Sequence, residues 1–439
     1  MKKPTARRTA SADLTAANQS SIGRLSWSPW RTVVGFGVVS LAADMVYEGA
    51  RSVTGPLLAS LGASAVLVGL ISGAGEATAL LMRLVFGSWA DRSRRYWTLT
   101  FAGYGLTAVC VPALAVTPFL AGAGLALACV LILGERLGKA VRSPAKTALL
   151  AHAAAAVGLG LGRGFGVHQA LDQIGAVAGP LLVAAVAAAA GTIWPAMAIL
   201  IVPGALAMLM LARIWRSMGN PVAGGEDAVT TEPIAAPERR ESLFSRLHGR
   251  LPRVFWLFAA ASAAASGGLV TFAVISFHLT QDHVVSVAAV PVIYAAAMAA
   301  EAFAALGSGW VFDRTRGAVL IGLPFVISAV PVLAFAGSPL TAITGAVLWG
   351  AAGGVLDSTV KALVADLVPA SRRATAYGVF AAVQGAAAIG GGVMAGALYE
   401  RSLPILVAAV VITQIIALVL LIATLRRYHS MAFQAFDAS

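Results

Sequence analysis

Carboxylates and bases recur at helical spacing inside runs of otherwise apolar sequence. Asp44, Glu48 and Arg51 share one helical face, as do Glu76 and Arg83. Glu135, Lys139, Arg142 and Lys146 form a ladder with its acid at the deeper end, beside Arg136; His168 and Asp172 are four apart. An ionisable side chain at the centre of a membrane helix costs about 2.5–3.5 kcal/mol unless paired or wet. Two kinds of chemistry fit. A buried carboxylate reached by water from alternate sides can carry protons; Asp44, Glu48, Glu76 and Asp172 are the candidates, with His168 tuning them. Polar groups around the same space can bind a small molecule: Tyr47, Arg51, Glu135, Arg136, Lys139 and Gln169, and further along the chain Glu301, Asp357, Lys361 and Gln384. For each residue the competing reading is a salt-bridge network that only stabilises the first half. Arg142 and Lys146 fit that reading, within reach of Asp91. Several bases suggest an anionic or zwitterionic ligand, although bases paired to acids attract nothing.

Other chemistries lack their residues. There is no GxxxxGK[ST] phosphate loop, HExxH, CxxC or nucleophile elbow, so neither a cofactor nor a metal is expected. The glycine run Gly158–Gly166 fails GxGxxG spacing and reads as a flexible connector. Cys110 and Cys129 lie in apolar segments as small packing residues, and His152, His278 and His283 are isolated.

The elements that hold these residues follow from composition. Of 439 residues 59% are hydrophobic and 11% charged, against roughly 25% charged in soluble domains. Lipid is the natural solvent. A net charge of +12 does not imply nucleic acid, because the bases are scattered between apolar runs with no basic domain or aromatic platform. Twelve runs are long enough to span a bilayer as helices: 32–58, 65–89, 96–116, 119–148, 163–188, 193–212, 254–279, 287–311, 317–336, 340–364, 374–398 and 403–425. Pro144 is a candidate kink in the fourth. Every second loop is basic, which predicts both termini in the cytoplasm.

The domain organisation predicted is a cytoplasmic tail (1–30), a six-helix bundle (31–213), a cytoplasmic linker (214–253), a second six-helix bundle (254–427) and a final cytoplasmic tail (428–439). The linker is rich in Gly, Pro, Glu and Thr, and its end from Leu243 to Leu251 has the pattern of an amphipathic surface helix. The halves are related: G-S-W-A-D-R-S-R-R from Gly87 to Arg95 recurs as G-W-V-F-D-R-T-R from Gly309 to Arg316, each after the second helix of its half. Helices three, six, nine and twelve carry no charge within their spans.

This pattern resembles the major facilitator superfamily over essentially the whole span from Arg31 to Arg427. The resemblance implies an all-α membrane protein of twelve transmembrane helices, in two six-helix bundles related by a parallel pseudo-twofold. It implies that Gly87, Asp91, Arg92, Arg94 and Arg95, with Gly309, Asp313, Arg314 and Arg316, form a gate holding the outward-facing state. It also puts the uncharged helices outside and the charged ones around a central cavity. Gly175, Gly179 and Pro180 resemble the GxxxGP element of drug:proton antiporters, a packing motif; Val183 and Ala184 stand where that family has paired glycines, and the first and fourth helices also depart from its pattern. The function expected is secondary active transport, not enzymatic: proton-coupled efflux of a small amphiphilic or anionic compound by a monomer in a bacterial inner membrane. Proton-coupled uptake is the rival within the class, and a receptor or enzyme on the same fold the rival outside it.

Overall fold

The computed structural model describes residues 27–157, 161–218, 251–369 and 372–437. All regular structure among them is helical. Eleven apolar segments are long enough to cross a membrane; one, Tyr96–Ala155, is 60 residues long and holds two crossings, which makes twelve.

The crossings are α1 (Pro29–Ser52, continued by Thr54–Ser60), α2 (Ala65–Ser93), α3 (Tyr96–Ala113), α4 (Gly124–Val157), α5 (Leu161–Ala190) and α6 (Trp194–Ile199, then Ile201–Met218). The second half has α7 (Arg253–Gly268, then Phe272–Gln281), α8 (Ala289–Thr315), α9 (Leu323–Ala334), α10 (Pro339–Val355, a π turn at Leu356–Val360, then Lys361–Leu367), α11 (Arg373–Arg401) and α12 (Leu403–Asp437). Local signals set the ends. Ser28 accepts from Arg31 N at 3.3 Å and places Pro29 in the first turn of α1, where a missing N–H costs nothing. Arg94 closes α2 in the left-handed conformation, φ 52°, with its N–H on Ala90 O.

The structure adds detail to three expectations. Pro144 does not break α4, which stays helical from Gly124 to Val157; the chain reverses earlier, at Leu120 and Ala121, whose backbone angles are non-helical. Most of the supposed glycine connector is helix, since α5 begins at Leu161. The last helix runs to Asp437, so the segment assigned to the final tail continues α12 as helix. The predicted surface helix near Leu243 lies outside the described residues.

Small residues bring the helices together, because lipid offers no hydrophobic drive for association and close van der Waals approach must supply it. A Cβ on Gly175 or Gly179 of α5 would strike the backbone of Leu41 or Met45 on α1. These pairs also fix a parallel register, 41 with 175 and 45 with 179. Gly350 and Gly354 of α10 lie in the same way on the backbone of Ala297 and Glu301 in α8.

The two halves meet most tightly at the end away from Asp91, called here the far end. There Gly69, Gly73 and Ala65 of α2 lie on the backbone of Gly392, Ala388 and Gly396 in α11, and Gly55 on that of Ala273 in α7. Glu400 of α11 crosses the interface to accept from Ala65 N at 2.5 Å, capping the first turn of α2 beside its own cap residue Ser64. At the other end, Asp91, Arg92, Arg94 and Arg95 are exposed.

Candidate functional site

Two connected clusters of buried charge occupy the first half. The upper one is built on Glu76 of α2, which accepts from Arg51 of α1 at 2.8 Å and lies 3.3 Å from Arg136 of α4. Arg136 also reaches Glu135 at 3.8 Å and donates to the Tyr47 hydroxyl. Arg51 lies 3.7 Å from Glu48, one turn earlier on α1. Lys139 sits over the Tyr47 ring, its Nζ 3.7 Å from the centroid. Acids and bases thus alternate, as charges far from bulk water require.

The lower cluster lies one to two turns nearer the Asp91 end. Arg142 stands 4.0 Å from Asp44 and donates to Thr107, which is also 3.5 Å from Glu135. Lys146 Nζ donates to Ser40 Oγ at 3.0 Å and lies 2.9 Å from His168 Nε2; Ser40 Oγ in turn is 3.4 Å from Tyr104 Oη. A lysine ammonium can only donate, so Nε2 is the acceptor and the ring proton is on Nδ1, a buried atom with no partner among the described residues. Ser40 and His168 meet across α1 and α5 at 3.3 Å. Asp44 and Asp172 follow each by four residues, which sets the two aspartates side by side in that register.

Two contacts join the charged first half to the second at mid-depth. Tyr294 of α8 donates to Glu48 Oε2 at 2.5 Å, and the Arg51 guanidinium lies between the rings of Tyr47 (5.9 Å) and Trp349 of α10 (6.0 Å). Tyr294 is fully buried, packed edge-on against Phe272 of α7. Glu48 is therefore a carboxylate shared between the halves.

Of the candidates named from sequence, Asp44, Tyr47, Glu48, Arg51, Glu76, Glu135, Arg136, Lys139, His168 and Asp172 fall in these clusters. In the second half, Glu301 lies over Gly353 of α10, and Asp357 is on the π turn, a helical irregularity common at functional sites. Gln384 keeps a buried, unpartnered Oε1. Gln169 is exposed, and the Lys361 side chain lies outside the described residues. Arg142 and Lys146 turn inward to Asp44 and His168, not to Asp91 as expected, because a buried aspartate and imidazole offer more to a desolvated cation than an exposed carboxylate. Arg83 is exposed and leaves Glu76 to two arginines from other helices. Within the signature, Gly87 faces Pro144, and Arg314 stacks on Trp310 with Cζ 3.5 Å from the ring. The side chains of Asp313 and Arg316 are not among those described.

Sequence reasoning missed Tyr294 and Trp349 because neither is charged. The available signal was spacing: Tyr294 lies two turns before Glu301, and Trp349 shares a face with Gly353.

The comparisons with known proteins agree with this architecture. The Major Facilitator Superfamily profile matches residues 36–330 and 256–435. The chain belongs to the Major Facilitator Superfamily. Uncharacterized proteins of Mycobacterium tuberculosis and Mycobacterium bovis are each 47% identical to this facilitator over 401 residues, covering 91% of it and 94% of their own length. Among solved structures, a bacterial homolog of the human lysosomal transporter Spinster, inward-facing and unoccupied, superposes with a TM-score of 0.64 at 17% identity, covering 91% of this chain and 96% of that one. The nucleoside transporter NupG gives 0.66 at 15% identity, over 90% and 98%. The superfamily fold is shared, and the superfamily consists of transporters.

Proposed function

We propose that this facilitator is a proton-coupled secondary transporter, exporting a small amphiphilic compound by alternating access, with Glu48 as the coupling acid. The observation that carries the reading is the position of Glu48: buried, paired to Arg51 in its own half and hydrogen-bonded to Tyr294 in the other. Any rearrangement that parts the halves at the far end removes Tyr294 from this carboxylate and admits water. A proton and the Arg51–Tyr294 pair then compete for the same oxygens. When the halves close at the far end, as here, Arg51 and Tyr294 take the carboxylate and the proton leaves toward the Asp91 end. Proton binding and domain movement are thereby linked through one group.

Glu76 suits a structural part. It stands between two guanidiniums at 2.8 and 3.3 Å, and removing its charge would leave two cations underpaired. Asp44 and Asp172, adjacent across α1 and α5, are the natural second stage of a proton path past His168 toward the Asp91 end. That end is cytoplasmic in this reading, with both termini on the same side, the membrane being a bacterial inner membrane. The signature residues are exposed, and in this reading the gate expected of Asp91 and its arginines closes in the opposite state.

Flux tests this directly. In proteoliposomes with an imposed pH gradient, a compound screen is expected to yield a substrate whose accumulation needs the gradient. Glu48→Gln should abolish accumulation while leaving equilibrative exchange. Coupling retained in Glu48→Gln would contradict the assignment of Glu48, and coupling retained as well in Asp44→Asn, Glu76→Gln and Asp172→Asn would contradict proton carriage by any of these acids. Everted vesicles give the direction: gradient-driven uptake into them means export from the cell.

A further inference from the structure

Two ionisable groups at the centre of the molecule make no hydrogen bond or ion pair with a described residue. Arg51, Arg136 and Arg142 each face a carboxylate, and Lys146 is held by Ser40 and His168. Lys139 makes no hydrogen bond or ion pair with a described residue; its ammonium rests on the face of Tyr47. Across the interface, Glu301 is in the same position. Its carboxylate passes over Gly353, where a Cβ would come within 3.5 Å of Oε2, and it has no hydrogen bond or ion pair with a described residue. Glycine at 353 leaves room beside the carboxylate that any side chain would fill.

A chain of ring contacts runs between these two groups. Lys139 touches Tyr47; Arg51 lies against Tyr47 and Trp349; Trp349 stands one helical turn before Gly353 on α10. One end of this chain is the Lys139 ammonium on the first half, the other the Glu301 carboxyl group on the second, with the Tyr47 and Trp349 rings between.

We propose that the central site binds a zwitterion, its acidic group on Lys139, its ammonium on Glu301 and its apolar body against Tyr47 and Trp349. A lone anion would satisfy Lys139 but leave Glu301 bare and add negative charge beside Glu48 and Glu76. A lone cation would do the reverse beside Arg51 and Arg136. A ligand carrying both charges relieves both groups, and because it spans the halves it draws them together. The inference rests on the transport reading above and names the substrate class for it.

Thermal unfolding of the purified full-length protein with two matched probe series tests the assignment. One series is alanyl-phenylalanine, its C-terminal amide and its N-acetyl derivative; the other is phenylalanine with the same two modifications. The zwitterion of at least one series is expected to raise the Tm more than either singly charged form. Lys139→Gln should reduce the zwitterion to the level of the amide, Glu301→Gln to that of the N-acetyl form, and Glu301→Asp should keep the original order. Equal shifts from singly charged forms, or no shift from any member of either series, would overturn the assignment. Binding in detergent needs no proton gradient, so a zwitterion preference with no proton coupling would overturn the coupling reading alone.

Discussion

Replacing Gly69 by valine is expected to trap the transporter open at the far end. A Cβ there would land on the Gly392 carbonyl of α11, a backbone atom that cannot rotate away, so α2 and α11 must separate. Overpacking of this kind costs about 1–3 kcal/mol, and the state that pays it is the closed one, which shifts the equilibrium by about five- to 150-fold. Each half folds on contacts that Gly69 does not touch, so the protein should still be made. The measurement is the reaction of a cysteine at Ser276 with a membrane-impermeant maleimide. Ser276 is fully buried, beside Gly55 at the interface of α1 and α7. In the Ser276→Cys background, Gly69→Val should speed labelling by about fivefold or more. An unchanged rate would show that the glycine contact does not control closure.

Loss of Arg136 is expected to be the most destabilising single change in the charged site. Its guanidinium serves Glu76, Glu135 and the Tyr47 hydroxyl. Glu76 keeps Arg51, but Glu135 loses its ion pair and keeps, among the described residues, the Thr107 hydroxyl as hydrogen-bond partner. Breaking a buried pair from one side costs about 3–5 kcal/mol, because the surviving charge has neither partner nor water. Arg136→Ala should therefore lower the Tm sharply and reduce the monodisperse yield. Arg136→Gln combined with Glu135→Gln removes both charges and should recover much of the loss. A double variant no more stable than the single one would mean that Arg136 acts through packing and not through charge.

Much of this architecture was legible in the sequence, for a physical reason. Lipid demands long apolar helices, and basic loops mark one side, so the twelve crossings and the duplicated Gly87–Arg95 signature follow from residue type alone. Helix breaks were less legible. The α7 interruption and the π turn of α10 carry no proline to announce them, while Pro144 sits inside a continuous helix. Partner choice was the least legible. Spacing puts Arg83 on the face of Glu76, yet helix register, fixed by glycines such as Gly175 on Leu41, brings Arg51 and Arg136 there instead. The same register turns Lys146 toward His168. Tyr294 escaped notice because an uncharged residue in a membrane helix carries no energetic flag, though it supplies a hydrogen bond between the halves at mid-depth.

The claim that Glu48 couples protons to domain movement has a direct test that needs no known substrate. Spin labels at Ser60→Cys and Ser286→Cys, exposed positions at the far ends of the two halves, report their separation by double electron–electron resonance. Cys110 and Cys129 are first replaced by serine. As pH falls, protons compete with Arg51 and Tyr294 for Glu48, so the account predicts a growing population with the labels farther apart. With Glu48→Gln that pH dependence should vanish. A Glu48→Gln protein whose label distances titrate like the parent's would contradict the account.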